Sequence, residues 1–263
     1  MQLFAIFGNP VTHSRSPLMH NYVFSKNRFD GCYTRIHLED GAKLKETFFA
    51  LGLKGANVTV PHKEAAFMAC DEVRGFAKEI GVVNTLILEG DKLIGYNTDA
   101  DGFMFAIEEF GRCHKVLIIG AGGTAKALSR KFLQEGITVE VLNRSEGNLA
   151  YFKEFNMPCY NWENFKVSAY DLVVNTTSAG LRDEELPAPK EMIETILAHT
   201  KYAADAIYGK VTPFLALAQE KNIPAKDGAD MLLGQGVLAH EYFTNHEFKK
   251  EKIKEFMQQS FKL

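Results

Sequence analysis

The stretch that decides the fold is KVLIIGAGGTAKALSRKFLQEGITVEVLNRS, residues 115–145. KVLIIG (115–120) is a nearly continuous apolar run of the kind buried on both faces of a parallel sheet. It enters a glycine-rich turn and a helical pattern over 123–135, with Gly136 placed as the helix's C′ residue. TVEVLNR (138–144) then reads as the next strand. Within the turn, Gly120, Ala121, Gly122, Gly123, Thr124 and Ala125 fit the spacing G-x-G-x-x-G/A. Gly120 permits the tight turn, Gly122 lets backbone approach a pyrophosphate, and Ala125 lets the helix sit close on the strand. A pyrophosphate there meets free N–H groups and the positive end of the helix dipole. The strand–turn–helix–strand context favours a nucleotide site over a merely structural glycine turn.

An NAD site usually carries Asp or Glu at the end of the second strand, on the ribose 2′-OH. This sequence has Asn143, Arg144 and Ser145 there. An arginine pairs with a 2′-phosphate that an acid would repel, so the residues favour NADP; the alternative is a surface arginine with no ligand.

Working outward, DLVVN (171–175) and KYAADAIY (201–208) read as strands, and Thr212-Pro213 as N-cap and first residue of a helix reaching about Lys221. Met231 to Phe261 has helical periodicity with few breakers. Upstream, FAIF (4–7), YTRIHL (33–38), ANVTV (56–60), TLIL (85–88) and KLIGYN (92–97) read as strands, with helices near 16–27, 42–51, 62–70 and 72–80 and a hairpin at Glu89-Gly90-Asp91. The expected boundary falls between Asn97 and Lys115, where a helix near 100–110 bridges two lobes. The fold class is α/β and two-lobed, a mixed sheet followed by a dinucleotide-binding sheet.

The 263 residues, 46% hydrophobic and 24% charged, have the composition of a folded globular chain of one large or two ordinary domains. Thirty Lys+Arg against 33 Asp+Glu leave a net charge of -3, so no global attraction to nucleic acid or anionic membrane is expected. No apolar run spans a bilayer and MQLFAIFGNPVTHSRS lacks a leader's basic region and cleavage site, so a cytoplasmic location is expected. Cys32, Cys70, Cys113 and Cys159 are too scattered for a zinc site or disulfide framework and read as reduced, mostly buried thiols; no metal is expected.

Polar residues gather at strand ends: Ser14 and Ser16 after the first strand, Thr59 and Lys63 around the third, Asn84 before the hairpin and Asp99 after it. Each alone also reads as a cap, a turn residue or a solvated side chain. Together they outline a pocket for a small polyhydroxylated acid at the strand ends, where open α/β sheets bind ligands. His13 and His62 flank these motifs without a carboxylate or serine partner, so neither is expected to be catalytic.

GNPVTHSRSP (8–17), GANVTVPHKE (55–64), GVVNTL (81–86), GYNTDADGF (95–103), GAGGTAKA (120–127), NRS (143–145), NTTSAG (175–180), DAIYGKVTPF (205–214) and DGADMLLGQG (227–236) resemble, in order and across nearly the whole chain, the motifs of shikimate dehydrogenases. The resemblance implies an N-terminal substrate domain, 1–99 completed by 230–263, with a Rossmann domain, 100–229, inserted. It implies reversible NADPH-dependent reduction of 3-dehydroshikimate to shikimate, towards the aromatic amino acids, in a monomer or homodimer. Ser14 and Ser16 then hold the substrate carboxylate; Thr59, Asn84, Asp99 and Gln235 bond the ring hydroxyls; Tyr208 borders the site; Lys63 stands in the catalytic position. Gly120–Thr124, Asn143, Arg144 and Ser145 bind the cofactor, with backbone near Ala206 and Gly228 on the nicotinamide side. Two positions depart from the pattern: Asn148 stands where relatives often carry a second arginine, and Asp230 replaces a small residue before Met231.

In mechanistic terms, an ammonium at Lys63 stabilises oxygen that gains negative charge and donates a proton to it; Asp99, if adjacent in space, favours the charged form, the alternative being that it simply binds a hydroxyl. Two other readings share these residues: a quinate/shikimate dehydrogenase of broader substrate and cofactor use, which Asn148 keeps open, and a non-catalytic NADP-binding sensor. A methylenetetrahydrofolate dehydrogenase has the same layout, but the Ser14/Ser16 pair and Gln235 point to a small acid.

Overall fold

The computed structural model describes residues 1–263. The chain divides into two compact units, Met1–Gly102 with Leu233–Leu263, and Phe103–Leu232.

In chain order, the first unit runs β1 (Gln2–Gly8), α1 (Ser16–Asn27), β2 (Gly31–His37), α2 (Leu44–Ala50), β3 (Leu53–Val58), α3 (Lys63–Ala69), β4 (Glu72–Val73), α4 (Phe76–Ile80), β5 (Thr85–Glu89), β6 (Lys92–Tyr96) and the start of α5 (Asp99–Ile107). The sheet order is β2-β1-β3-β5-β6-β4. β1 is parallel to β2 and β3, whereas β5 is antiparallel to both β3 and β6. This polarity decides where the site lies. The carboxyl ends of β1, β3 and β6 and the amino end of β5 share one edge, so the segments carrying Ser14, Thr59, Lys63, Asn84 and Asp99 converge there.

The second unit continues with β7 (Lys115–Ile119), α6 (Gly123–Gln134), β8 (Thr138–Leu142), α7 (Ala150–Glu154), β9 (Cys159–Tyr160), β10 (Tyr170–Asn175), α8 (Lys190–Ala198), β11 (Thr200–Asp205), α9 (Pro213–Glu220), β12 (Ala225–Lys226) and the start of α10 (Ala229–Phe243). α11 (Lys250–Ser260) ends the first unit. The second sheet is wholly parallel, in the order β12-β11-β10-β7-β8-β9. Chain order reverses between β7 and β10, the doubly wound arrangement whose ligand crevice opens at that switch point. Successive residues of β7 alternate between two cores, Val116 and Ile118 on one face, Leu117 and Ile119 on the other, which explains the unbroken apolar run. As read, Thr212 caps α9, its hydroxyl accepting from the Leu215 N–H at 3.3 Å.

Several elements differ from their reading. The helix expected at 72–80 begins as a strand, because Glu72 and Val73 pair with Ile94 and Gly95, and α4 starts only after Gly75 at φ +57°. The strand read over 201–208 stops at Asp205, whose carboxylate takes the Ile207 N–H and turns the chain. The helical stretch read over 231–261 is two helices, α10 and α11, with Asn245 and His246 in left-handed conformations between them. The third strand runs 53–58, not 56–60, and the strand after α6 ends at Leu142. Of the four thiols, all free, only Cys113 is buried; the others are half-buried.

Candidate active site

At the shared edge of the first sheet, Lys63 is the first residue of α3 and Asp99 the first of α5. Both are buried, and the Lys63 ammonium bonds Asp99 Oδ2 at 2.5 Å. Asp99 Oδ1 takes an N–H of Asn84 at 2.8 Å. Asn84 is fixed in turn: its other amide bond reaches the Thr98 hydroxyl at 3.0 Å, and its carbonyl oxygen accepts from the Thr98 N–H and the Thr85 hydroxyl, both at 2.9 Å. Asn97 Oδ1 accepts the Asp99 N–H at 3.1 Å. The carboxylate partner prevents the ammonium from being an uncompensated buried charge.

The serines meet as well. Ser14 and Ser16 are buried, with their hydroxyls 3.2 Å apart, and the Ser16 N–H donates to Ser14 Oγ at 3.3 Å. Thr59 is half-buried beside Gly8, its N–H bonded to the Phe7 carbonyl. Gln235 is brought close by a contact between helices: a Cβ at Gly102 would stand 2.5 Å from the Gln235 nitrogen, so α5 and α10 approach nearer than any other residue allows. His62 is buried with its Nε2–H donated to the Leu38 carbonyl at 2.6 Å, a structural role.

Sequence reasoning missed a layer beneath these residues. Asn57, on β3, donates to the Asn84 carbonyl and the Thr85 hydroxyl, and accepts the Tyr33 hydroxyl at 2.7 Å. Tyr33 stacks on His20, whose Nδ1 lies 3.0 Å from that of His240. The available signal was an asparagine inside the apolar segment ANV, which must be buried and therefore bonded.

In the second unit, Gly120 follows β7 at φ +111°, and a Cβ there would meet the Thr176 hydroxyl at 2.6 Å. Thr176 itself bonds the Ile119 carbonyl through both N–H and hydroxyl, which closes the turn at the switch point. Gly122 caps α6 with no side chain on the free N–H groups, and nothing lies within 4 Å of a Cβ built there. That open helix start, unlike a capped one, fits a pyrophosphate. Asn143 Nδ2 donates to the Ser145 carbonyl at 2.8 Å; Arg144 and Asn148 are exposed, and no carboxylate pairs with Arg144. Asp230 is held by Lys226 at 2.7 Å. Ala206 and Gly228 lie backbone to backbone, and the Gly228 N–H bonds the Ile207 carbonyl at 2.9 Å. Under this loop, which also carries half-buried Tyr208, Asp205 accepts from Thr212 at 2.7 Å, Ile207 at 2.9 Å and Asn175 at 3.0 Å. Burial pushes its carboxyl above the ordinary value, which these donors partly offset. No cluster of three or more His, Cys, Asp or Glu side chains is placed to hold a metal ion, and no helix is long and apolar enough to cross a membrane.

A doubly wound sheet with an open glycine-rich helix start, carried in one chain with a buried ammonium–carboxylate pair among amides and hydroxyls, defines the class: an oxidoreductase that uses a nicotinamide dinucleotide on a small polar molecule. Comparison with known proteins agrees. Residues 6–86 match the family model described as the shikimate dehydrogenase substrate binding domain. The chain is 47% identical over 249 residues to the shikimate dehydrogenase (NADP(+)) of Helicobacter hepaticus, covering 94% of this chain and 92% of that one. It is 44% identical to that of Helicobacter pylori strain 26695, covering 99% of both. The Thermus thermophilus shikimate 5-dehydrogenase, solved in complex with NADP(H) and shikimate, superposes with a TM-score of 0.82 at 32% identity, over 99% of this chain and 100% of that one. The chain belongs to the shikimate dehydrogenase family, NADP-dependent oxidoreductases.

Proposed function

We propose that this chain reduces 3-dehydroshikimate to shikimate with NADPH, reversibly, as a step towards the aromatic amino acids. The first unit is the substrate domain and the second the cofactor domain. The observation that carries the reading is the buried Lys63–Asp99 pair steadied by Asn84. NADPH, when bound, supplies the hydride. Lys63 does the rest of the chemistry: its ammonium stabilises the ketone oxygen as charge grows and gives it a proton, so ketone, hydride and proton make the alcohol. In the oxidative direction the neutral amine takes that proton back. Asp99 keeps the ammonium in place and, with Asn84, Thr59 and Gln235, bonds ring hydroxyls. Ser14 and Ser16 hold the carboxylate, and Tyr208 borders the site.

The residues that would hold the dinucleotide are Gly120, Ala121, Gly122, Gly123 and Thr124 at the pyrophosphate, Asn143, Arg144 and Ser145 at the 2′-phosphate, and backbone at Ala206 and Gly228 on the nicotinamide side. All of these come from one chain, which suits a monomer or homodimer. The free thiols suit the reducing cytoplasm. The test is a spectrophotometric screen of shikimate and quinate, each with NADP and NAD. Shikimate with NADP should give the highest kcat/KM. Equal use of quinate would favour the broader dehydrogenase, and binding without turnover the sensor.

A further inference from the structure

The loop that carries Ser14 and Ser16 is held by an arginine on a different strand. Arg35 lies on β2, in register with Ile6 of β1. Its Nε and Nη2 groups both donate to the Ser14 carbonyl oxygen, at 3.0 and 2.5 Å. Arg35 is exposed, and no carboxylate pairs with it. On the other flank, an Arg15 N–H reaches the Phe261 carbonyl at 3.4 Å and its guanidinium stands 5.2 Å from the Phe261 ring. The serine loop is therefore pinned from two sides.

A turn carbonyl is readily satisfied by water, and immobilising a long arginine for it costs rotamer freedom. What the guanidinium adds is orientation and charge. Two neutral hydroxyls compensate a carboxylate incompletely once it leaves water, and neither serine hydroxyl is bonded to a cation. A guanidinium on the Ser14 carbonyl places a positive charge one peptide from those hydroxyls, and its fork fixes that peptide in one orientation.

We propose that Arg35 is a positioning residue for the acid end of the substrate: it holds the Ser14 peptide so that both hydroxyls face one point, and its charge offsets the substrate's carboxylate. This rests on the reading of Ser14 and Ser16 as the carboxylate seat. The carboxylate is remote from the reacting ketone and is bound alike in ground and transition states, so Arg35 acts on KM and not on kcat.

The experiment assays full-length Arg35→Met and Arg35→Lys beside the unmodified protein, with shikimate and NADP, at low and high salt. In Arg35→Met, KM for shikimate should rise about 10-fold or more, with kcat within about twofold and KM for NADP unchanged. Shikimate KM should rise with salt in the unmodified protein, and that rise should vanish in Arg35→Met. Arg35→Lys keeps the charge without the fork; it should retain the salt dependence with a KM between the other two, and it serves as the test if Arg35→Met does not fold. Unchanged KM in either folded variant, or a loss confined to kcat, overturns the proposal. Absence of shikimate turnover in the unmodified protein would instead overturn the reading on which it rests.

Discussion

His20 and His240, from α1 and α10, make stability depend steeply on mild acid. Both are fully buried, their Nδ1 atoms are 3.0 Å apart, and their Nε2 atoms have no partner. Tyr33, Phe24 and Phe243 surround the two rings. Burial, then the neighbouring His240, holds His20 well below the ordinary imidazole value, and burial brings His240 down to about 3. The unfolded chain therefore takes up protons below about pH 6.5 that the folded chain refuses, so the stability is present above that pH and is lost as pH falls towards 3. Each imidazole contributes a limiting slope of about 1.4 kcal/mol per pH unit, and two give about 2.7. Between pH 6.5 and 4.5 the loss approaches roughly 5 kcal/mol, comparable with the whole stability of many domains. Urea unfolding at half-unit pH steps measures this slope. His240→Gln retains a hydrogen-bonding partner for His20 but does not titrate, and should about halve it. A stability flat from pH 6.5 to 5, or a variant with the full slope, would refute the buried neutral pair.

Arg144→Ala should raise KM for NADP and remove most of a roughly 10- to 100-fold NADP preference in kcat/KM, the range one charge-assisted clamp provides; an unchanged NADP/NAD ratio in steady-state assays would count against that role. Gly120→Ala should weaken NADP binding at least 10-fold in fluorescence titration, since its Cβ would strike Thr176 at a φ of +111°; wild-type affinity would contradict the tight turn. Asp171 is brought down to about 2, first by Lys201 and then by the His114 and Lys115 N–H groups, so its stabilisation is present above about pH 4 and lost as pH falls towards 2. With Lys201 exposed and the pair screened, Asp171→Asn should cost about 1 kcal/mol at pH 7 and nothing near pH 2, measured by denaturant titration.

The doubly wound sheet was legible because each of its units is local: a buried strand, a glycine turn and a helix follow one another in KVLIIGAGGTAKA, and nothing distant is needed to place them. The candidate site was legible as residue types at strand ends, and the Lys63–Asp99 pairing only on condition that the two meet in space. That Lys63 meets Asp99, 36 residues on, follows from the antiparallel β5 and β6, which return the chain to the edge where β3 ends. Arg35 and Tyr33 read as ordinary strand residues, since their partners, the Ser14 carbonyl and Asn57, are fixed by sheet order. The break between α10 and α11 was hidden because asparagine and histidine, not glycine or proline, adopt the left-handed turn.

The most direct test of the account is Lys63→Ala, compared with the unmodified protein in kcat for shikimate oxidation with NADP and in shikimate Kd by calorimetry. With the ammonium gone, the proton transfer loses its partner while the serines, Asn84 and Gln235 still hold the substrate. The account predicts a kcat lower by about 10² or more with Kd changed by less than about 10-fold. A near-wild-type kcat would contradict the assignment of Lys63, and with it the mechanism.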